Sequence, residues 1–96
     1  MVPADDPEPV IIPIEDELDL HAFAPREVAS VVDEYLRAAH AKGLREVRLV
    51  HGRGRGVQRA TVHRVLRSHP LVVAFRDDPH AHLGATLASL CPRHEP

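Results

Sequence analysis

Between Val47 and Val62 the chain passes from an apolar run, Val47-Arg48-Leu49-Val50, through His51-Gly52-Arg53-Gly54-Arg55-Gly56 into Val57-Gln58-Arg59-Ala60-Thr61-Val62. The order is strand, glycine-rich loop, helix. Glycine lets a backbone take φ > 0 and approach a ligand closely. The helix start that follows offers unpaired N–H groups and the positive end of its dipole, which suit an anion. Arg53, Arg55 and Arg59 add planar forks that match phosphate oxygens. His51, at the strand end, is of the residue type that moves protons near neutral pH. Together these features describe a phosphate site, with Gly52, Gly54 and Gly56 in its backbone and a titratable group at its edge. The same composition also occurs in loops that only connect. Two known loops are excluded: the glycines read G-x-G-x-G rather than G-x-G-x-x-G, and no Lys-Ser/Thr pair follows them.

Ninety-six residues make one small domain with a modest core. That core must be aliphatic, because the aromatics are only Phe23, Tyr35 and Phe75. The lone Cys91 excludes an internal disulfide framework. Nothing at the start resembles a signal peptide, and no apolar run is long enough for a membrane span, so a cytoplasmic protein is expected. The net charge of −2 conceals an asymmetry. Up to Glu34 the only base is Arg26; from Arg37 to Arg76 the only acid is Glu46, amid nine arginines and Lys42. A basic half of this kind points to an acidic partner, nucleic acid being the commonest. Solvated helix faces and genomic base composition are the plainer explanations.

Residues 1–13, with four prolines and three acids, read as an extended or disordered arm whose apolar end lies along the domain. The domain is expected over 14–91, with a short tail over 92–96. Leu18-Asp19-Leu20-His21 alternates apolar and polar, which is strand chemistry and puts Asp19 and His21 on one side. Pro25 suits a first helical turn. Val28, Val31, Val32, Tyr35, Leu36 and Ala39 form one helical stripe, and Gly43 stops it. The second strand spans Val47–Val50 and the second helix Val57–Ser68, with Arg59, His63, Arg64 and Arg67 at its more exposed positions. Leu71–Phe75 is a third strand, residues 76–83 a polar turn containing Asp77 and Asp78, and Ala85–Leu90 a fourth strand. The order βαβαββ predicts an α/β two-layer sandwich: a mixed four-stranded sheet, first three strands parallel, both helices on one face. Ligands of such sheets gather at the carboxyl ends of parallel strands, where His21 and His51 both lie.

Leu18-Asp19-Leu20-His21 before a Pro25-initiated helix, then His51-Gly52-Arg53-Gly54, then Gly84-Ala85-Thr86 ahead of the last strand, resemble the small MutS-related (Smr) domain. That family's motifs read L-D-x-H-G, H-G-x-G or T-G-x-G, and a late G-A-T. The resemblance covers Glu15 to Leu90. It implies a nucleic-acid-binding domain, in several members a DNA-nicking or RNA-cleaving endonuclease. Such domains occur fused to MutS-like proteins and as short stand-alone chains, with a fold similar to the C-terminal domain of bacterial translation initiation factor three. By this resemblance Asp19 and His21 are the functional pair and His51, Gly52 and Gly54 the second motif. The glycine expected after His21 is Ala22 here.

Phosphodiester cleavage needs a base for the attacking oxygen, an acid for the leaving one and cations for the phosphate. The expectation is that His21 and His51 share the proton work, that Asp19 orients His21, and that the loop and its arginines hold the phosphate. On RNA the 2′-hydroxyl is the nucleophile and no cofactor is required; on DNA water attacks, and Asp19 could hold a divalent metal ion. The alternative is a module that clamps DNA, RNA or the ribosome without cutting. A metal site at His80, His82, Cys91 and His94 fits no standard zinc spacing.

Overall fold

The computed structural model describes residues 14–52, 56–82 and 84–92. The expected arm over 1–13, together with Arg53, Gly54, Arg55 and the last residues of the tail, lies outside them. The chain runs β1 (Glu17–Asp19), a 3₁₀ turn (Pro25–Glu27), α1 (Val28–Lys42), β2 (Glu46–Val50), α2 (Val57–Ser68), β3 (Val72–Asp77) and β4 (Ala85–Leu90). The strands form one sheet in the order β1-β2-β4-β3. β1 and β2 are parallel, and β4 is antiparallel to both its neighbours, β2 and β3. The first three strands therefore share a direction, with the fourth inserted between the second and third.

Helix α1 forms because its apolar residues fall on one stripe. Val28, Val32, Leu36 and Ala39 are fully buried and Tyr35 nearly so. Its end is fixed by Gly43 at φ 94°, a conformation glycine adopts without a Cβ penalty. There the Gly43 N–H donates to the His40 carbonyl and the Leu44 N–H to the Ala39 carbonyl, satisfying two carbonyls the helix leaves open. The Glu27 carboxylate accepts the Ala24 N–H ahead of the helix. On α2 only Val62 and Leu66 are fully buried, so this helix is held mainly by one narrow edge.

Both helices cover the sheet face that carries Val47, Leu49, Ala88 and Leu90, and their side chains form one aliphatic cluster with Leu20. Each fully buried leucine there contributes about 1.5–3 kcal/mol relative to exposure. The other face carries ion pairs beside Val50 and Leu87. Arg48 bridges Glu17 at 2.9 Å and Asp78 at 2.7 Å, and Arg76 meets Glu46 at 3.5 Å. The Asp78 pair has one mostly buried partner, and the Arg48 guanidinium holds that carboxyl below its usual range.

Two expectations need correction. β3 reaches Asp77 rather than stopping at Phe75. Its pairing with Thr86 turns the Asp77 side chain to the helix side, while Asp78 faces Arg48 on the other; strand alternation separates two acids that look like one polar turn. The charge asymmetry is also smaller in space than along the chain. Arg37, Arg48, Arg59 and Arg76 all pair with carboxylates. Arg64 and Arg67 make no ion pair with a described residue and lie exposed on α2. Among the described residues no helix is long and apolar enough to cross a membrane.

Candidate functional site

The register of β1 on β2 decides the site. Asp19 pairs with Val50, which brings His21 level with Gly52 and Leu20 level with His51. Leu20 is fully buried and His51 is 4% exposed, whereas the Asp19 and His21 side chains are 62% and 64% exposed. The two histidines at the carboxyl ends of the parallel pair therefore face opposite sides of the sheet. The expected convergence of His21 with His51 does not occur as drawn, because their positions differ by one step of the two-residue strand period.

Asp19 Oδ1 accepts the His21 backbone N–H at 2.9 Å and lies 2.7 Å from His21 Nδ1. The backbone bond first, then the ring bond, holds the Asp19 carboxyl below its usual range. An ionised carboxylate only accepts, so Nδ1 carries the proton and Nε2 of the neutral ring is bare. Nε2 faces Gly52. A Cβ added at Gly52 would stand 2.9 Å from it, and Gly52 has φ 76°. Glycine is needed here twice, for the backbone conformation and for the room it leaves His21. The arrangement is an exposed carboxylate–histidine pair with its unprotonated nitrogen against Gly52, a geometry that suits proton transfer.

His51 instead points under the sheet edge. Its Nδ1 lies 2.9 Å from the Gly52 carbonyl and its Nε2 2.9 Å from the Thr86 hydroxyl. Burial lowers its pKa, with Arg59 adding to the effect and the Gly52 carbonyl opposing it. The same Thr86 hydroxyl lies 2.9 Å from His63 Nε2. His63 is not the exposed helix residue its spacing suggests: its side chain is 16% exposed and its ring packs edge-on against Phe75 at 5.0 Å. Burial lowers its pKa too. Sequence reasoning missed His63, Thr86 and Asp77; the late Gly84-Ala85-Thr86 was the only signal that touched this cluster.

The loop glycines and arginines fare unevenly. Gly52 donates its N–H to the Gly84 carbonyl at 2.9 Å, beside the His51 N–H at 3.1 Å. Gly56 stands immediately before α2. Arg59, expected as a phosphate fork, grips Asp77 through Nε at 3.0 Å and Nη2 at 2.6 Å, so the carboxylate occupies its bidentate edge. Arg53, Gly54 and Arg55 lie outside the described residues. Among the described residues no group of three or more His, Cys, Asp or Glu side chains is arranged to hold a metal ion. A divalent ion at Asp19 would take its other ligands from water and substrate phosphates, as magnesium commonly does.

The comparisons with known proteins agree with this architecture. In sequence the chain is 40% identical over 79 residues to an Endonuclease MutS2 of Pelotomaculum thermopropionicum, covering 80% of this chain and 10% of that protein. It is 43% identical over 61 residues to an Endonuclease MutS2 of Caldicellulosiruptor saccharolyticus, covering 62% of this chain and 8% of that one. The chain thus spans about a tenth of the length of these relatives. In structure it is similar to the Smr domain of Thermus thermophilus MutS2, with a TM-score of 0.75 and 36% identity over 79% of this chain and 98% of that one. It is also similar to YdaL, a stand-alone small MutS-related protein from Escherichia coli, with a TM-score of 0.71 and 30% identity over 78% of this chain and 63% of that one. The family model described as the Smr domain matches residues 18–90, and with the sheet order and the Asp19–His21–Gly52 edge already in place, the chain belongs to the Smr domain family.

Proposed function

We propose that this domain binds nucleic acid and cuts its phosphodiester backbone as an endonuclease. The observation that carries the reading is the 2.7 Å Asp19–His21 pair with its unprotonated nitrogen against Gly52. His21 Nε2 takes the proton of the attacking oxygen, a 2′-hydroxyl on RNA or a water on DNA. Asp19 fixes the ring and stabilises the imidazolium that forms, which returns its proton to the leaving oxygen. Loop N–H groups, Arg53 and Arg55 offset the phosphate charge. His51, buried and bonded at both nitrogens, holds the loop rather than exchanging protons with substrate. The names of the MutS2 relatives support nuclease chemistry.

The second reading is a module that clamps DNA, RNA or ribosomal RNA without cutting. The burial of His51 favours it, since it takes from the surface one of the two histidines expected to share the proton work. One experiment separates the readings. Purified protein, Asp19→Asn and His21→Ala are incubated with labelled single-stranded, duplex and branched DNA and RNA, with and without chelator. Cleavage lost in both variants while binding survives supports the nuclease; binding by all three without cleavage overturns it in favour of the clamp.

A further inference from the structure

His51, Thr86 and His63 form a chain of hydrogen bonds whose direction follows from donor and acceptor rules. The Gly52 carbonyl only accepts, so His51 Nδ1, 2.9 Å away, carries a proton. With the ring neutral, as its burial favours, His51 Nε2 is an acceptor and takes the Thr86 O–H at 2.9 Å. That uses the only proton of the hydroxyl. His63 Nε2, also 2.9 Å from Thr86 Oγ1, must then donate its N–H. The two histidines are held as opposite tautomers. The sequence of donors runs from His63 on α2, through Thr86 on β4, through His51 at the end of β2, to the Gly52 carbonyl. Behind His63 stand Asp77 at 3.6 Å and Arg59, which grips Asp77.

We propose that Thr86 and His63 are positioning residues for the site: through His51 they fix the Gly52 peptide against which His21 Nε2 works. The inference rests on the Asp19–His21 edge being the reactive one. Gly52 is held through both of its flanking peptides, its carbonyl by His51 and its N–H by the Gly84 carbonyl. Its Cα side forms the wall beside His21. A rotation of either flanking peptide moves the wall, and displacements of about 1 Å at a reacting group cost on the order of a hundredfold in rate. Thr86 is fully buried on a strand otherwise lined by Ala88 and Leu90. A valine would fill the same volume without the hydroxyl, so packing alone gives no reason for threonine.

The test combines two measurements on the whole chain. Long-range proton–nitrogen NMR spectra at neutral pH read the histidine tautomers directly. The expected result is Nδ1–H for His51 and Nε2–H for His63 in the parent and in Thr86→Ser, with His51 losing its single form in Thr86→Val. Amide exchange should quicken at Gly52 in Thr86→Val while the interior amides of β2 keep their protection. An Nε2–H form of His51 in the parent overturns the relay, and this needs neither a folded variant nor any activity. Unchanged tautomers and Gly52 protection in a folded Thr86→Val also overturn it. In cleavage assays Thr86→Val should lower kcat on the order of tenfold to a hundredfold with nucleic-acid affinity retained, and Thr86→Ser should restore it. A Thr86→Val protein that cuts at the parent rate overturns the positioning role. A parent that cuts nothing defeats the nuclease reading, while the tautomers and Gly52 exchange still decide the relay.

Discussion

His21 and Gly52 face each other across the carboxyl ends of two parallel strands, so closely that any side chain on the glycine would meet the imidazole Nε2 at 2.9 Å. Gly52→Ala is therefore expected to displace His21 as well as strain the backbone, since φ 76° costs a non-glycine residue roughly 1–2 kcal/mol. Thermal unfolding should show a loss of that order, and cleavage should fall much further than stability. Full cleavage by a folded Gly52→Ala protein would show that the contact has no part in the chemistry.

Asp19 fixes which ring nitrogen of His21 is bare. Asp19→Asn keeps the shape but allows the amide to donate to Nδ1, which moves the proton to Nε2 and removes the base. Cleavage should drop by about 10²–10⁴-fold, with the binding isotherm unchanged. Both side chains are largely exposed, so the melting temperature should hardly move. A large fall in melting temperature would instead make Asp19 a structural residue.

Acid should destabilise the protein in two windows. His51 and His63 have pKa values below the ordinary 6.5 because burial disfavours their charged forms. The unfolded chain then binds more protons than the folded one. Stability is full above the unfolded value and declines as pH falls from about 6.5 towards the lower folded values. Asp33, Asp77 and Asp78 are depressed by hydrogen bonds from His69, Arg59 and Arg48. Their contribution is present above 3.8 and is lost as pH falls further, through their folded values. Urea midpoints between pH 8 and pH 3 should trace both declines. In a His51→Phe/His63→Phe double variant that still folds, the first should vanish and the second remain.

The nucleic-acid affinity should fall as salt rises, because arginine–phosphate contacts release counterions. Replacing Arg53 and Arg55 together by alanine should flatten the logarithmic salt slope by about 1.4–1.8, the value for two contacts. Arg59→Ala should change the slope little, since Asp77 occupies its fork. The reverse ranking, measured by fluorescence anisotropy across a salt series, would make Arg59 the phosphate ligand and Asp77 only its resting partner.

Leu36→Ala tests the core. The side chain is fully buried between α1 and the sheet. The cavity should cost about 2–5 kcal/mol, and each kcal/mol lowers the melting temperature of so small a domain by roughly 4–8 °C. Denaturant unfolding of parent and variant checks it. A loss under 1 kcal/mol would mean that α1 relaxes onto the sheet.

Much of this molecule was legible along the chain because it depends on local rules. The stripe from Val28 to Ala39 and the stop at Gly43 specify α1 by periodicity and capping. The alternation at Leu18–His21 already placed Asp19 and His21 on one side, and a carboxylate two residues from a histidine at a strand end needs no distant partner to form its pair. The order of elements determined the two-layer fold. What the sequence could not supply was the relation between strands. His51 looked like a second proton carrier because it ends the neighbouring strand; the pairing of Asp19 with Val50 puts it one residue out of phase, on the core side. Asp77 looked like a turn residue until the pairing with Thr86 made it the last residue of β3. His63 sat among arginines in the helix pattern, yet Thr86 and Phe75, 23 and 12 residues further on, draw its ring inside. Register and cross-strand contacts join residues far apart in the chain. A one-residue shift exchanges the faces of a strand, and only the packed sheet decides which histidine stays exposed at the strand ends and which enters the core.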